Sequence, residues 1–90
     1  MRFPGSRRTI GRTYSISPEA IERLAEFDAT EDEFQAISLS AADLARDPTL
    51  GYRIHFEVSD NSGLFAYSVG RFTLFYRYDK HKLEVVTIRL

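Results

Sequence analysis

The side chains best suited to chemistry in this 90-residue chain are arginines and a histidine spaced two apart. Arg71, Thr73, Phe75 and Arg77 alternate along one stretch, so in an extended strand they share a face. Arg53 and His55 do the same in an earlier stretch, with Glu57 next in the series. A planar guanidinium beside an aromatic ring suits recognition of phosphate or carboxylate. A histidine beside a glutamate can move a proton near neutral pH. This reading gives Arg77, His55 and Arg71 as candidate catalytic groups. It gives Arg53, Arg71, Arg77 and Arg89 as candidate contacts to a nucleic acid or other target. The competing reading is that these are exposed strand residues that keep a surface solvated. His81, in a charged turn, reads as solvated only. Tyr52, Tyr67, Tyr76 and Tyr78 read as cross-strand partners and core fillers rather than base-stacking groups.

Other chemistries are excluded by composition. With no cysteine there is no disulfide framework, thiolate zinc site or cysteine nucleophile. The two histidines are far apart, and there is neither a glycine-rich phosphate loop nor a Gly-x-Ser-x-Gly elbow. Glu19, Glu31, Asp32 and Glu33 fall where helices should begin, and Glu22 and Glu26 at i, i+4 read as a solvated helix face, so no catalytic acid pair is expected. No metal and no cofactor are expected.

Twelve Lys and Arg against 13 Asp and Glu leave a net charge of −1. A protein that grips nucleic acid through its overall charge needs a clear cationic excess, so that class is disfavoured, though a local basic patch is not. The distribution is uneven. Residues 1–12 hold four arginines and no acid. Residues 13–50 hold two arginines against nine acids, and residues 51–90 six basic residues against four acidic ones. No apolar run is long enough for a membrane helix and no signal-peptide core is evident, so a cytoplasmic protein without membrane contact is expected.

The elements follow from local signals. Residues 1–11, with Pro4, Gly5, Ser6 and Gly11, read as a flexible Arg-rich arm, and residues 12–90 as one domain. Residues 12–17 read as a short strand with Tyr14 and Ile16 on one face. Ser17-Pro18-Glu19 starts a helix over 18–27, whose inner face is expected to be Ile21, Leu24 and Ala25. Thr30-Glu31-Asp32-Glu33 fits a capping box opening a second helix, with Phe34, Ile37, Ala41 and Leu44 inward, closed by Asp47-Pro48. About two residues join the helices, predicting an antiparallel hairpin. From Tyr52 the period becomes two. Strands are predicted over 52–58, 64–69, 72–78 and 83–90, with turns at Asp60-Asn61-Ser62-Gly63, Gly70-Arg71 and 79–82. The fold class is α+β: a short N-terminal strand, a two-helix antiparallel hairpin, then a three- to four-stranded antiparallel meander with one face covered by helices.

This order of elements resembles the RelE/ParE superfamily of bacterial toxins. The resemblance spans roughly residues 14–88. It rests on Tyr14-Ser-Ile-Ser-Pro-Glu-Ala leading into two helices, Asp47-Pro48, Gly51-Tyr52, Gly70-Arg-Phe-Thr-Leu-Phe-Tyr-Arg-Tyr-Asp and Leu83-Glu-Val-Val-Thr-Ile. It implies a RelE-like fold and the toxin of a type II toxin–antitoxin pair, with a cognate antitoxin as partner. It further implies one of two targets, DNA gyrase or the ribosome with its mRNA, and leaves a homodimer open. In the endonucleases of the family, cationic groups stabilise charge while a ribose 2′-hydroxyl attacks the adjacent phosphate. Those groups align here with Ala66, Ser68 and Thr73, and the basic groups that follow the last strand in those enzymes have no counterpart before Leu90. The resemblance therefore favours a toxin that works by protein binding, of gyrase type. An mRNA endonuclease using Arg53, His55, Arg71 and Arg77, and a non-toxic interaction module, are the alternatives.

Overall fold

Two hydroxyl side chains start the two helices. The structure is a computed structural model that describes residues 12–53 and 63–90. Ser17 is extended (φ −65°, ψ 157°), and its hydroxyl accepts the Ala20 amide at 3.1 Å, so α1 (Pro18–Glu26) begins with proline in its first turn. Thr30 and Glu33 form a complete capping box. The Glu33 amide donates to Thr30 Oγ1 at 3.1 Å and the Thr30 amide to Glu33 Oε1 at 2.9 Å, opening α2 (Glu31–Arg46). The link between the helices, residues 27–30, is longer than expected. Asp28 turns it with φ 53°, a left-handed conformation that aspartate tolerates. Pro48 cannot extend α2, and Pro48–Leu50 forms one 3-10 turn instead.

The strands are β1 (Thr13–Ile16), β2 (Tyr52–Arg53), β3 (Phe65–Val69), β4 (Phe72–Tyr78) and β5 (Lys82–Arg89). They form one five-stranded sheet in the order β1-β5-β4-β3-β2. β2 to β5 run as an antiparallel meander, and β1 adds at the far edge parallel to β5. The α+β class and the meander agree with the sequence reading. The parallel pairing of the first strand goes beyond it. Gly70, at φ 59°, supplies the left-handed residue that the two-residue β3–β4 turn requires. The expected strand over 52–58 is seen at its start; residues 54–58, most of the turn after them and the arm 1–11 lie outside the described residues.

A bulge resets β5. Phe75 faces Thr87 and Tyr76 faces Val85, so Val86 has no partner on β4. Leu83, Val85 and Ile88 are therefore all buried, although strict alternation would turn Ile88 outward. The Val86 carbonyl accepts the Ser17 hydroxyl at 2.6 Å, which ties the start of α1 to the irregularity.

Both helices cover one face of the sheet. α1 packs mainly on β5, and α2 on β1 and β5. Ile37, Ala41, Leu44 and Ala45 of α2 meet Phe72, Leu74, Tyr76, Leu83, Val85 and Ile88. Full burial of each large apolar side chain contributes roughly 1.5–3 kcal/mol. In α1 the inner face is Ala20 and Leu24, while Ile21 and Ala25 face solvent, one position away from the expected stripe. Small Ala20 lets the helix backbone approach β5. Phe34, expected inside, is 42% exposed.

Candidate target-binding face

The strand register defines the face that the helices leave open. Thr73 lies between Ser68 and Arg89, Phe75 between Ala66 and Thr87, and Arg77 opposite Glu84, which in turn neighbours Ser15 of β1. Tyr52 extends the second row beyond Ala66. This surface has short side chains, Ser68, Thr73, Thr87 and the fully buried Ala66, around the Phe75 and Tyr52 rings, with Arg77, Glu84 and Arg89 toward its ends. The three positions that the resemblance assigns to cationic groups, Ala66, Ser68 and Thr73, do come together here, and they carry no charge.

The arginines singled out by spacing separate. Arg77 is exposed on the open face, where it lines a cleft of about 220 Å³ with Tyr78, Asp79, Lys82 and Glu84. Arg89 is also exposed there, beside Thr73, four strand positions or about 13 Å from Arg77. It borders a second cleft of about 240 Å³ with Arg23, Phe27 and Ile88.

Arg71 sits in the β3–β4 turn, about 20 Å along β4 from Arg77. Its Nε donates to Glu33 Oε2 at 2.7 Å, and its Nη2 to Glu33 Oε1 at 3.0 Å and to the Phe27 carbonyl at 3.1 Å. Its guanidinium carbon also lies 4.7 Å from the centroid of the Phe72 ring. The Arg71 bond, followed by the Thr30 amide, holds the Glu33 carboxyl down at about 2, and the same pair raises the Arg71 guanidinium. Arg71 thus fastens a hairpin to a helix start instead of converging with Arg77.

Arg53 does not join Arg77 either. It pairs with Phe65, which pairs with Tyr76, so its register places it on the helix-covered side at the sheet edge. Its guanidinium lies 5.9 Å from the Phe65 ring centroid. The expected convergence of Arg53 and His55 with Arg71 and Arg77 fails for Arg53 because β2 meets β3 in this register; His55 lies outside the described residues.

Tyr76 is buried and its hydroxyl donates to the Pro48 carbonyl at 2.6 Å. Burial pushes the phenol up to about 12, so it is a structural donor rather than a proton carrier. Gly51 passes against it: a Cβ at this position would overlap Tyr76 Oη and the Ala66 carbonyl oxygen. Among the described residues no group of three His, Cys, Asp or Glu side chains could hold a metal ion, and no helix is long and apolar enough to cross a membrane.

Two residues that the sequence reading did not single out gather with Arg77 at the β4–β5 turn. Arg12 donates from Nε to the Asp79 carbonyl and from Nη1 to the Ala45 carbonyl at 3.3 Å, with its guanidinium 5.1 Å from the Tyr78 ring centroid. Lys82 lines the same cleft as Arg77. The signal was the run Asp79-Lys80-His81-Lys82, which is legible as a turn and silent about its neighbours.

No family model matches the sequence, and no curated protein is similar to it. Solved structures are similar in shape. A chain from the toxin–antitoxin complex RelBE2 of Mycobacterium tuberculosis superposes with a TM-score of 0.74 at 21% identity, covering 91% of this chain and 93% of that one. A chain of the YoeB dimer from Staphylococcus aureus superposes with a TM-score of 0.66 at 14% identity, covering 90% of this chain and 98% of that one. With a sheet and helix pair of this order, the chain has the RelE-like fold.

Proposed function

We propose that this chain is the toxin of a type II toxin–antitoxin pair, that it acts in the cytoplasm by binding a protein target of gyrase type, and that an antitoxin neutralises it. In this reading residues 12–90 form the working domain. The observation that carries the choice of mechanism is the uncharged row Ala66, Ser68 and Thr73 on the open face. Phosphodiester cleavage without a metal needs fixed cations where charge develops on the phosphate, and these side chains supply none. Two further cations are committed elsewhere, Arg71 to Glu33 and Arg53 to the Phe65 ring. A fold shared with a chain of a toxin–antitoxin complex supports the pairing with an antitoxin, and the dimeric staphylococcal neighbour supports self-association.

Induced expression in a bacterial host, alone and with the neighbouring open reading frame, tests the proposal. Growth arrest with altered plasmid supercoiling, relieved by the neighbour, is the expected result. Arrest accompanied by cuts in translated mRNA would replace gyrase-type binding with ribosome-dependent cleavage, and then Arg77→Gln should abolish the cuts. Unimpaired growth would remove the toxin reading and leave an interaction module.

A further inference from the structure

β1 is the outer strand of the sheet, and only one of its two sides is used. The Thr13 amide donates to the His81 carbonyl at 3.1 Å and the Ser17 amide to the Val85 carbonyl at 3.0 Å, so the odd-numbered residues turn their backbone groups toward β5. The residues between them turn theirs the other way. The amides and carbonyls of Tyr14 and Ile16 therefore point outward, and none of these four groups has a partner among the described residues. The free stretch is bounded at both ends. Before it, the Arg12 amide is taken by the Ala45 carbonyl at 3.4 Å. After it, Pro18 has no amide hydrogen and opens α1. Within Thr13–Ile16 there is no charge, no proline and no bulge, three of the devices that keep an edge strand from pairing, and Thr13, Tyr14 and Ser15 are exposed.

These groups are self-complementary. Turned antiparallel about a two-fold axis at Ser15, two copies of the strand would set Tyr14 of each opposite Ile16 of the other. Both residues have outward backbone groups, so each such pair would exchange two hydrogen bonds, and together the pairs use every free group of both strands. Centring the pairing on Tyr14 would leave both Ile16 carbonyls unpaired, and centring it on Ile16 would set Tyr14 against Pro18. In the Ser15 register the two stopped ends, Arg12 and Pro18, face each other instead. On the inner side the exposed Tyr14 ring would meet Ile16, which is already packed on the core. On the outer side Ser15 would meet Ser15 and Thr13 would meet Ser17, so no like charges are directly opposed.

From this we infer that the outer edge of β1 binds a second copy of this chain, joining two sheets into one continuous sheet across a two-fold axis. The symmetry selects the occupant: the free groups of one copy match those of the other in number, spacing and limits. The inference gives the self-association proposed above its surface and rests on no part of the toxin reading.

Sedimentation equilibrium and cysteine cross-linking of the full chain test it together. The chain has no cysteine, so a single one reports its own position. Ser15→Cys should give a covalent dimer under mild oxidation, because opposed residues at a non-hydrogen-bonded position stand about 4.5 Å apart between Cα atoms, within disulfide reach. Thr13→Cys, on the same side and also exposed, should stay uncrosslinked, since its two copies stand about 13 Å apart along the strands. Tyr14→Pro removes an outward amide and leaves the β1–β5 bonds in place, and the dimer dissociation constant should rise by about tenfold or more. Tyr14→Thr, which keeps the amide, should raise it less. In hydrogen exchange the Tyr14 and Ile16 amides should be protected in concentrated solution and lose protection on dilution, with Thr13 and Ser15 protected in both. A monomer at every concentration would overturn self-association and the edge together. A dimer undiminished in Tyr14→Pro, or cross-linked through Thr13→Cys and not Ser15→Cys, would keep self-association and remove it from this edge. Protection of the two amides only when the product of the neighbouring reading frame is added would give the edge to a different protein.

Discussion

The two faces of β4 have opposite fates, and the two arginines that share its outer parity part ways as well. On the inner face Phe72, Leu74 and Tyr76 are buried, and the one polar group among them, the Tyr76 hydroxyl, is consumed by the Pro48 carbonyl. On the outer face Thr73 and Phe75 are half-buried and Arg77 is exposed. Arg71 shares the outer parity of Arg77, yet its guanidinium is folded back on Glu33 and the Phe27 carbonyl. What a side chain can do here is decided by the partner that a distant element presents to it. Where a helix supplies a carboxylate the arginine becomes a fastener; where only another strand lies beside it, the arginine stays exposed.

The contrast can be broken most severely from the inner side. Gly51→Ala should destabilise the protein by about 2–3 kcal/mol, read from urea unfolding, because the methyl group has no room beside Tyr76 and the Ala66 carbonyl. Next in size is Tyr76→Phe, expected to cost about 1–2 kcal/mol by leaving the Pro48 carbonyl without its donor. Combining the two should cost less than their sum, since the hydroxyl that the added methyl group would strike is gone. Strict additivity would show that the close approach at Gly51 is not what requires glycine.

A smaller effect sharpens the comparison of the two arginines. The Glu33 carboxyl is held at about 2 in the folded protein against an ordinary 4.5, so its contribution to stability is complete above 4.5 and is lost as pH falls through that window. Thermal midpoints of the parent and of Glu33→Gln should therefore differ at neutral pH and converge as pH approaches 2. A gap that persisted at low pH would mean the Arg71 contact works through packing on Phe72 instead. The smallest effect belongs to Arg77→Gln, which should leave the unfolding midpoint unchanged at any pH. A clear loss would make Arg77 a second fastener, through Glu84, like Arg71 through Glu33.

The parts of the fold that were legible in the sequence are those whose cause is local. Ser17-Pro18 and Thr30 to Glu33 start helices by bonding amides within three residues, and the alternation along 72–78 needs only its own register. The parts that were not legible depend on partners far along the chain. The Arg71 fastener joins residues 38 apart, and nothing near Arg71 announces Glu33. The side taken by Arg53 is set by how β2 meets β3. The inner stripe of α1 is set by how a short helix settles on a bulged strand, and the bulge at Val86 leaves no mark in the pattern of apolar residues before it. For the open face, the sequence identified the uncharged character of Ala66, Ser68 and Thr73, and the register then showed that the three are neighbours. The place of Arg12 was hidden for the same long-range reason: it reads as the start of a short strand, and only the fold brings it to Tyr78 and the Asp79 carbonyl.

The parallel pairing of β1 with β5 joins nearly the first described residue to nearly the last, and the Ser17 hydroxyl reaches across 69 positions to the Val86 carbonyl. During synthesis β1 has no strand to lie against until β5 has left the ribosome. The helices can form early on their own caps, and the meander can close hairpin by hairpin, but the sheet is completed in one late step. Such long-range closure is slow relative to local folding. The nascent chain therefore spends that interval with the edge of β1 and the inner sides of both helices uncovered, and a partner made at the same time would meet those surfaces before the finished molecule hides them.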